Sequence, residues 1–485
     1  MRRRIVMAAV AAITALWAPA LMAGAQGKAG ASFTKIERPA RSNHTATLLG
    51  DGRVLVAGGC VGAEAGSLVQ GTRTGVLAGG KSGGQPGSFS LCAKPSQSAE
   101  LFDARSSKWR SAGPMTVARK YHTAAPLPDG RAIVLGGVQS NPGPEGFAET
   151  YDPTADKWTP TKAPPVVFAG HSSIALATGP GPACGPHCGK VLVIGSDAPH
   201  GDTSVPPALL FDPKANSWER IQGPVVHEAH TSTLLADGRV MVISFGTNQI
   251  FDPAKGAWSS APPSRIEDRA WQTATLMKDG RVLISGGIRR GISSIADAEL
   301  FDPNAVSDPA HPEVKGKWTP TRPLSRPRVF HTAAALADGR VLVAGGVGEP
   351  SRLFSPPPIG EVLATTEIYD PASSDWTAGP SMSLARGGDF LTGNGAPNEN
   401  LVALTATALP SGRVLIVGGG PAAEVFSSDG VAVSRDKDEN SLLVSLLANK
   451  WMVAGSVLLL VTLIGLAARK KIRRSWRRSR GIAVR

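Results

Sequence analysis

A unit that recurs seven times is the feature of this sequence that most constrains its fold. Four copies match closely, at residues 44–59, 122–137, 272–287 and 331–346, and variants begin at His171, His230 and Leu404. An acidic–aromatic motif follows each copy, as in Glu100-Leu-Phe-Asp103, and a tryptophan closes six of the seven units. Recurrence of this kind is the sequence signature of a repeat architecture.

Each unit predicts four short antiparallel strands. Asp-Gly separates two apolar runs in five of the units, as at Asp51-Gly52, and Ser411-Gly412 is a weaker copy. We expect a two-residue hairpin turn there, with both central residues at positive φ. The second strand ends in Gly-Gly, the third carries Phe/Tyr-Asp, and the fourth carries the tryptophan. Four antiparallel strands per unit make a propeller blade.

The motifs resemble those of the kelch repeat family, which is similar to the central domain of galactose oxidase. They are Gly-Gly after the second strand, Glu-x-Tyr/Phe-Asp in the third, Trp in the fourth, and Met-x-x-x-Arg before the next unit. The resemblance covers about residues 31–428. It implies an all-β, seven-bladed kelch-type β-propeller. Units three and four lack the double glycine, and the seventh ends at Phe426 without a tryptophan.

The strand missing from the seventh unit is predicted to come from the other end of the domain. Phe33 precedes His44 by eleven residues, close to the spacing between a tryptophan and the start that follows it. A strand through Phe33 would complete the seventh blade and remove an open sheet edge. Deletion of residues 26–40 is therefore expected to unfold the domain.

The two faces of such a propeller differ in the length of their connections. Connections from the second to the third strand, and from one blade to the next, emerge on one face, which we call the loop face. The other face, the turn face, carries the short turns within each blade. The longest connections are all on the loop face, at residues 60–98, 196–207, 347–365 and 387–400. Because binding tends to reside in loops on a rigid scaffold, the loop face is the candidate functional face.

Five arginines recur on this face just before a blade: Arg41, Arg119, Arg269, Arg328 and Arg386. They are the candidate ligand-binding residues, because a guanidinium group pairs bidentately with carboxylates, and in some kelch-like propellers arginines here contact ligand. The alternative is structural, with the arginines donating hydrogen bonds to carbonyls between blades. The repeat histidines, such as His44 and His122, are expected to pack rather than to act in catalysis.

Four cysteines in a chain that we expect to be exported predict two disulfides. Cys60 and Cys92 bracket the long connection of the first unit, and Cys184 and Cys188 flank a short turn in the third. We expect Cys60 to pair with Cys92, and Cys184 with Cys188. Two thiolates together with His187 could instead hold a soft metal, but we predict no metal site and no cofactor.

An enzymatic function finds little support in the sequence. Copper radical oxidases similar to galactose oxidase need two tyrosines, two histidines and a cysteine cross-linked to a tyrosine. Only three tyrosines are present, and Tyr151 and Tyr369 stand where other units carry phenylalanine. The family also resembles a bacterial sialic acid epimerase, which needs a base in the mouth. Candidates are Glu349, Glu361, Asp389 and His200, but their spacing selects no pair. We assign no catalytic residue.

The N-terminal segment predicts export, and the C-terminal segment predicts a membrane anchor. Residues 1–25 are typical of a cleaved signal peptide, with a retained N-terminal membrane helix as the alternative. Residues 429–450 are interpreted as a linker, and 451–468 form an uncharged stretch long enough to span a bilayer. The basic tail at 469–485 is then expected in the cytoplasm, and residues 26–440, which include the propeller at 26–428, outside it. Processing by a sorting enzyme stays open, although no LPxTG-type motif is present.

Charge argues against a nucleic-acid partner. The chain carries a net charge of +13, but three arginines at residues 2–4 and nine basic residues in 469–485 account for all but one unit of it. The nearly neutral body gives no electrostatic support for DNA or RNA binding. The sequence therefore predicts a surface-tethered module that binds a protein or a glycan, with an anionic partner as one option. The alternative is a carbohydrate-modifying enzyme, an epimerase or an oxidase.

Overall fold

A computed structural model describes the repeated part of the chain. The described residues are 30–61, 95–139, 148–165, 169–176, 184–196, 208–223, 226, 230–244, 247–289, 293–311, 315–348, 361–387 and 404–429. Among them, no helix is long and apolar enough to cross a membrane. The predicted signal peptide, membrane span and tail lie outside these ranges, as does the predicted linker apart from Asp429.

Seven antiparallel sheets make up the fold, one for each repeated unit; six have four strands, and the seventh gains a short fifth strand, Cys60–Val61, which pairs with the end of Ser32–Ser42. The first strands of blades 1 to 7 are Thr45–Leu48, Thr123–Pro126, Ala169–Ala175, Thr231–Leu234, Thr273–Leu276, Thr332–Ala335 and Leu404–Ala408. The second strands are Arg53–Ala57, Ala132–Leu135, Val191–Ser196, Val240–Ser244, Val282–Ser285, Val341–Ala344 and Val414–Gly418. The third strands are Ala99–Asp103, Ala148–Asp152, Ala208–Asp212, Thr247–Asp252, Ala298–Val306, Thr366–Asp370 and Gly420–Ser427. The fourth strands are Lys108–Ala112, Lys157–Pro160, Ser217–Ile221, Ala257–Ser260, Lys315–Pro320, Asp375–Ala378 and Ser32–Ser42.

The blades close into a ring. The first strand of each blade contacts the first strands of both neighbouring blades, and the first strand of blade 7 contacts that of blade 1. The second strands are the most apolar and are almost wholly buried, as in Val54–Ala57. Core clusters join residues of adjacent blades, such as Leu55 and Leu101 of blade 1 with Val134 and Tyr151 of blade 2. The seven-bladed all-β propeller predicted from the repeats is confirmed.

The predicted closure by the N-terminal strand is confirmed as well. Ser32–Ser42 pairs antiparallel with Gly420–Ser427 and forms the outer strand of blade 7. Phe33 lies opposite Phe426, with the ring centroids 5.3 Å apart. In blades 1 to 6 the same pair is Phe or Tyr with Trp, at 4.8 to 5.1 Å. Phe33 therefore takes the place of the missing tryptophan.

The tryptophans also join successive blades. The indole Nε1 of Trp158 donates to the Gly113 carbonyl, 2.6 Å away, in the connection that leads out of blade 1. Trp218, Trp258, Trp318 and Trp376 make the equivalent bond to the connection before their own blade. In blade 1 the guanidinium of Arg38 instead lies 4.7 Å from the ring centroid of Trp109. A cation–π contact thus replaces the hydrogen bond at the seam where the chain closes.

The predicted two-residue Asp-Gly turns are wrong in detail. In blade 1 the amide of Gly52 donates to the Leu49 carbonyl and the amide of Leu49 donates to the Arg53 carbonyl, so three residues form the loop. Gly52 has φ +86°, whereas Asp51 is not among the residues at positive φ. The carboxylate of Asp51 accepts hydrogen bonds from the Arg53 amide and side chain. This bonding favours a type I turn followed by a left-handed glycine.

Short rim strands on the loop face continue the connections between blades. They are Cys60–Val61, Arg119–Lys120, Val138–Gln139, Arg269–Ala270, Ile288–Arg289, Ser293–Ser294, Val347–Gly348 and Glu361–Val362. The connection that enters a blade pairs with the beginning of its own long loop, as in Arg119–Lys120 with Val138–Gln139. The bases of the loops are therefore anchored by backbone hydrogen bonds.

Candidate functional site

The five arginines singled out from the sequence are buried beneath the loop face. Their exposed fractions are between 0 and 2%. Each guanidinium group lies against the glutamate of the third strand of its own blade. The pairs are Arg41–Glu100, Arg119–Glu149, Arg269–Glu299, Arg328–Glu367 and Arg386–Glu424, with nitrogen–oxygen distances of 2.7 to 3.3 Å.

Each of these arginines also holds the glycine turn of its blade. Nη1 of Arg119 donates to the carbonyl of Gly136, at 3.0 Å, and Arg328 does the same to Gly345, at 2.9 Å. Burial lowers the pKa of Arg41 to about 10, with the nearby Arg38 cation as the next cause. Arg41 therefore remains charged at neutral pH and needs its buried counterion.

The glutamates are equally well satisfied. Besides Arg119, the carboxylate of Glu149 accepts from the amide and the hydroxyl of Thr116, at 2.8 and 2.7 Å. Glu367 and Glu424 accept from the amides of Ser325 and Ser383 in the same way. A buried carboxylate with this many donors is a bracing element that ties the connection before a blade to its third strand.

In every blade, the arginine before the first strand and the glutamate of the third strand are either both present or both absent. Blade 3 has Phe168 and Leu209 at the two positions, and blade 4 has His227 and Gln249. This co-occurrence was visible in the sequence. It could have been used to predict that each arginine pairs with the glutamate of its own blade. The geometry supports the structural alternative for these side chains, and ligand binding by the five guanidinium groups stays a prediction.

The repeat histidines link the innermost strands of adjacent blades. Nε2 of His122 lies 3.1 Å from the hydroxyl of Thr45 in blade 1, and Nε2 of His331 lies 3.0 Å from that of Thr273 in blade 5. Burial, together with nearby arginine cations, lowers the pKa of His331 to about 3. Burial also lowers the pKa of His171 to about 4. Neutral histidines bonded between blades have the packing role expected of them.

The Cys184–Cys188 disulfide is confirmed. It encloses a one-turn 3₁₀ helix, Gly185–His187, in the turn-face connection where other blades carry Asp-Gly-Arg. Three of those arginines donate to a carbonyl of the next blade: Arg53 to Pro153 at 3.1 Å, Arg131 to Pro213 at 3.4 Å and Arg239 to Pro303 at 3.3 Å. In blade 3, buried His187 packs instead near Gly256 and Phe251 of blade 4. The disulfide loop thus occupies the position of the missing arginine bridge.

The other cysteine pair is only partly described. Cys60 directly follows the glycine turn after the second strand of blade 1, and it is 1% exposed. Cys92 lies outside the described residues. The Cys60–Cys92 disulfide therefore stays a prediction. With their sulfurs joined to each other, Cys184 and Cys188 present no thiolate pair to a metal.

The donors of a copper radical site do not come together among the described residues. Tyr151 packs on Trp158 and its hydroxyl donates to Asp156, while Tyr369 is fully buried against Trp376 on the far side of the ring. Tyr121 is the one tyrosine outside a blade core. Of the acid or base candidates, Glu361 pairs with Arg326, and Glu349, Asp389 and His200 lie outside the described residues.

An aromatic cluster at the centre of the loop face was missed in the sequence. Tyr121, Trp271 and Phe330 each precede the first strand of a blade, and each has a left-handed backbone, with φ of 51 to 56°. The rings of Trp271 and Phe330 lie 5.4 Å apart, and Tyr121 packs against the same cluster. Tyr121 belongs to blade 2, and the other two belong to blades 5 and 6, so the contact crosses the propeller axis. We call these three residues the mouth cluster.

The double glycines make room for this arrangement. A Cβ atom on Gly137 would lie 2.4 Å from the Lys120 carbonyl oxygen, and one on Gly287 would lie 2.4 Å from that of Ala270. The second glycine of the pair therefore allows the left-handed turn that carries the aromatic side chain toward the axis. The signal available in the sequence was an aromatic residue directly before the repeat His or Gln in three units.

Asn43 occupies the same position in blade 1. Its φ is 52°, and its carbonyl accepts from the amide of Tyr121 at 3.2 Å. The side chain is 3% exposed, and neither its amide nitrogen nor its oxygen has a hydrogen-bond partner in the protein. Buried amides of this kind are normally completed by water or by a ligand.

Comparisons with known proteins agree with the repeat signature. No family model matches the chain. The chain is 24% identical to Kelch-like protein 15 of Danio rerio over 190 residues, which is 37% of this chain and 30% of that protein. It is 24% identical to a galactose oxidase of Gibberella zeae over 283 residues, 51% of this chain and 38% of that protein. The chain thus spans about a third of the length of these curated relatives.

A solved structure shares the fold. It is described as a novel fungal alcohol oxidase of the AA5 family in complex with copper. The TM-score is 0.56 at 18% identity, covering 83% of this chain and 79% of that one. Similarity at this level of identity establishes a common architecture.

Proposed function

We propose that this kelch-type seven-bladed β-propeller is a binding module that presents its loop face to a protein or a glycan. One observation carries the proposal: partly exposed aromatic side chains from opposite blades meet at the centre of the face that also carries the long loops. Aromatic residues with a few convergent polar groups are the usual lining of ligand sites. The turn face, in contrast, consists of short and uniform connections.

The scaffold beneath this face is suited to binding. The arginine–glutamate pairs and the rim strands fix the base of each described connection. A rigid base lowers the conformational entropy that would be lost when a ligand is bound. Similarity to Kelch-like protein 15 and to galactose oxidases supports a propeller as the working unit.

We further propose that the module is tethered to a cell membrane. The uncharged stretch at 451–468, followed by the basic residues of 469–485, motivates a single span with the propeller outside the cytoplasm. Protease treatment of intact cells or spheroplasts should then digest the propeller and spare the tail. Digestion of the tail alone would indicate the opposite orientation in the membrane.

The alternative proposal is a carbohydrate-modifying enzyme of the periplasm or cell surface. Similarity to galactose oxidase over half of the chain supports it. The positions of Tyr151 and Tyr369 within blade cores do not suit the tyrosine ligands of a copper radical centre. An epimerase would need a base among residues of the long loops.

Binding by the full-length chain to an array of glycans and acidic peptides tests the proposed function. The loop-face variant is Lys120→Glu with Arg289→Glu, both on rim strands. The matched turn-face control is Lys157→Glu with Lys214→Glu, which makes the same change of charge at exposed positions. We expect the loop-face variant to change the affinity for an array ligand about tenfold, and the control less than about twofold.

Two results would contradict the proposal. One is an equal change of affinity in the loop-face variant and the control. The other is the absence of binding to every probe on the array, combined with turnover of a carbohydrate by the same protein, which would favour the enzyme.

A further inference from the structure

We infer that the mouth cluster and Asn43 together form a binding site for an uncharged sugar ring. This inference rests on the proposed function and names the class of ligand and the residues that contact it. The site lies on the propeller axis, where residues of blades 1, 2, 5 and 6 converge at the loop face.

The backbone of the mouth cluster is the first argument. A left-handed conformation is unfavourable for a residue other than glycine, and aromatic residues adopt it rarely. Here Tyr121, Trp271 and Phe330 all adopt it, at equivalent positions of three blades. Glycine would fit each turn without that cost. Strained residues that recur at one place on a surface are typical of functional sites.

The second argument is that the rings are accessible. Phe330 is buried, with 9% of its surface exposed, whereas Tyr121 and Trp271 are only partly buried. The faces of aromatic rings are electron-rich, and the C–H bonds on one face of a pyranose ring carry a partial positive charge. Trp271 therefore offers a surface on which such a ring can stack. Tyr121 extends this surface beside the ammonium group of Lys120, which lies 5.3 Å from the Tyr121 ring centroid.

Asn43 supplies the third argument. Its backbone conformation matches that of the mouth cluster, and its carbonyl is bonded to the amide of Tyr121. The carboxamide is buried and without a partner in the protein. A carboxamide both donates and accepts hydrogen bonds, as the hydroxyl groups of a sugar do. Because the asparagine side chain is uncharged, it does not favour a charged ligand over a neutral one.

The arginines beneath the mouth favour an uncharged ligand. Arg119, Arg269, Arg328 and Arg386 are each paired with a glutamate of their own, and Arg41 shares Glu100 with Arg38. Four of the five cations are therefore neutralised within the blades. An acidic peptide would have to compete with buried carboxylates for them. We therefore favour the neutral sugar over the acidic peptide.

Two glycine variants of the full-length chain test the site. Asn43→Gly and Trp271→Gly remove the side chain and keep the left-handed turn, because glycine adopts positive φ without strain. Trp271→Phe keeps an aromatic face and is the conservative control. The probes are immobilised neutral oligosaccharides, oligosaccharides that contain uronic or sialic acids, and acidic peptides. Melting temperature is measured for each variant in parallel.

We expect binding to neutral oligosaccharides, with affinity reduced about tenfold or more by each glycine variant and less than about threefold by Trp271→Phe. The melting temperature of Asn43→Gly should be unchanged or higher. Unchanged sugar affinity in both glycine variants would overturn the site and leave the proposed binding function standing. Binding of acidic peptides alone would also overturn the sugar assignment while supporting the binding function. Binding to none of the probes would overturn the site and count against the function as well.

Discussion

Arg119 and Glu149 are both fully buried, with a guanidinium nitrogen 2.9 Å from a carboxylate oxygen. The pair joins the connection that enters blade 2 to the third strand of that blade. Four other blades repeat it, and blade 3 carries Phe168 and Leu209 at the equivalent positions. The arginines that the sequence suggested as ligand-binding residues thus form buried ion pairs that hold each connection against its blade.

Removal of one partner from this brace should destabilise the domain strongly. Arg119→Ala leaves the Glu149 carboxylate buried without its counterion, and we expect a loss of about 3–5 kcal/mol in the free energy of unfolding. The double change Arg119→Phe with Glu149→Leu, which copies blade 3, should recover more than half of that loss. Arg110→Ala removes a half-exposed ion pair with Asp156 and should cost less than about 1 kcal/mol. Urea denaturation measures all three.

Arg119→Ala together with Arg386→Ala tests whether the arginines bind a ligand. If Arg119 and Arg386 bind an anionic partner, their replacement by Ala weakens binding by the fraction that stays folded. If they serve only as braces, affinity in that fraction is unchanged while the melting temperature falls. We expect the second outcome, because both side chains are inaccessible to solvent.

Closure of the ring by Phe33 predicts a specific pattern of stability. Phe33→Ala removes the ring that packs against Phe426, and a loss of about 3 kcal/mol is expected. Phe33→Trp should be tolerated, since six blades carry Trp at this position. Deletion of residues 26–40 should abolish cooperative thermal unfolding, because Gly420–Ser427 would lose its outer partner. A deletion variant that melts like the intact chain would contradict the closure.

The disulfide in blade 3 should stabilise the seam between blades 3 and 4. For so short a loop, the chain-entropy model gives about 2 kcal/mol. Cys184→Ser with Cys188→Ser should lower the free energy of unfolding by about that amount, and His187→Ala alone by a smaller amount. Faster hydrogen exchange in Ala208–Asp212 and Thr247–Asp252 would place the effect at this seam. Exchange that rises equally in all blades would argue against a local role.

The buried histidines predict that stability falls in mild acid. The folded-state pKa values of His171 and His331 are about 4 and about 3, below the ordinary value of 6.5. The unfolded chain therefore binds more protons between about pH 6.5 and pH 4, so stability is complete above pH 6.5 and is lost as the pH falls through this range. At pH 5 each such histidine should cost about 2 kcal/mol.

A variant at one repeat position isolates this effect. His331→Gln copies Gln272 of blade 5, which occupies the same position without a titratable ring. It should lose stability at pH 7.5, where the bond to Thr273 is removed, and the difference from the parent should shrink at pH 5. Urea midpoints at the two pH values measure it, and a constant difference would contradict the assignment.

The number of blades, their strand order and the origin of the closing strand could all be predicted from the amino-acid sequence. These follow from local motifs that recur, because alternating apolar runs, turn residues and a closing aromatic each report on their own strand. The seventh unit lacks a tryptophan after Phe426, and Phe33 precedes the first unit at the spacing of a tryptophan. These two observations were sufficient to predict that the strand through Phe33 completes blade 7. The Asp-Gly turn type was mistaken, since hydrogen bonds from Arg53 to Asp51 favour the three-residue loop.

The surroundings of the arginines and of the aromatic residues, in contrast, depend on contacts between distant parts of the chain. Whether Arg119 faces solvent or Glu149 depends on how a connection folds back over its blade, and strand patterns do not report that. Tyr121 and Trp271 are separated by 150 positions in the chain. They pack against the same apolar cluster because a ring of seven blades brings opposite connections together at its axis. Contacts across the axis depend on closure of the whole ring, and no single repeat contains the information that specifies them.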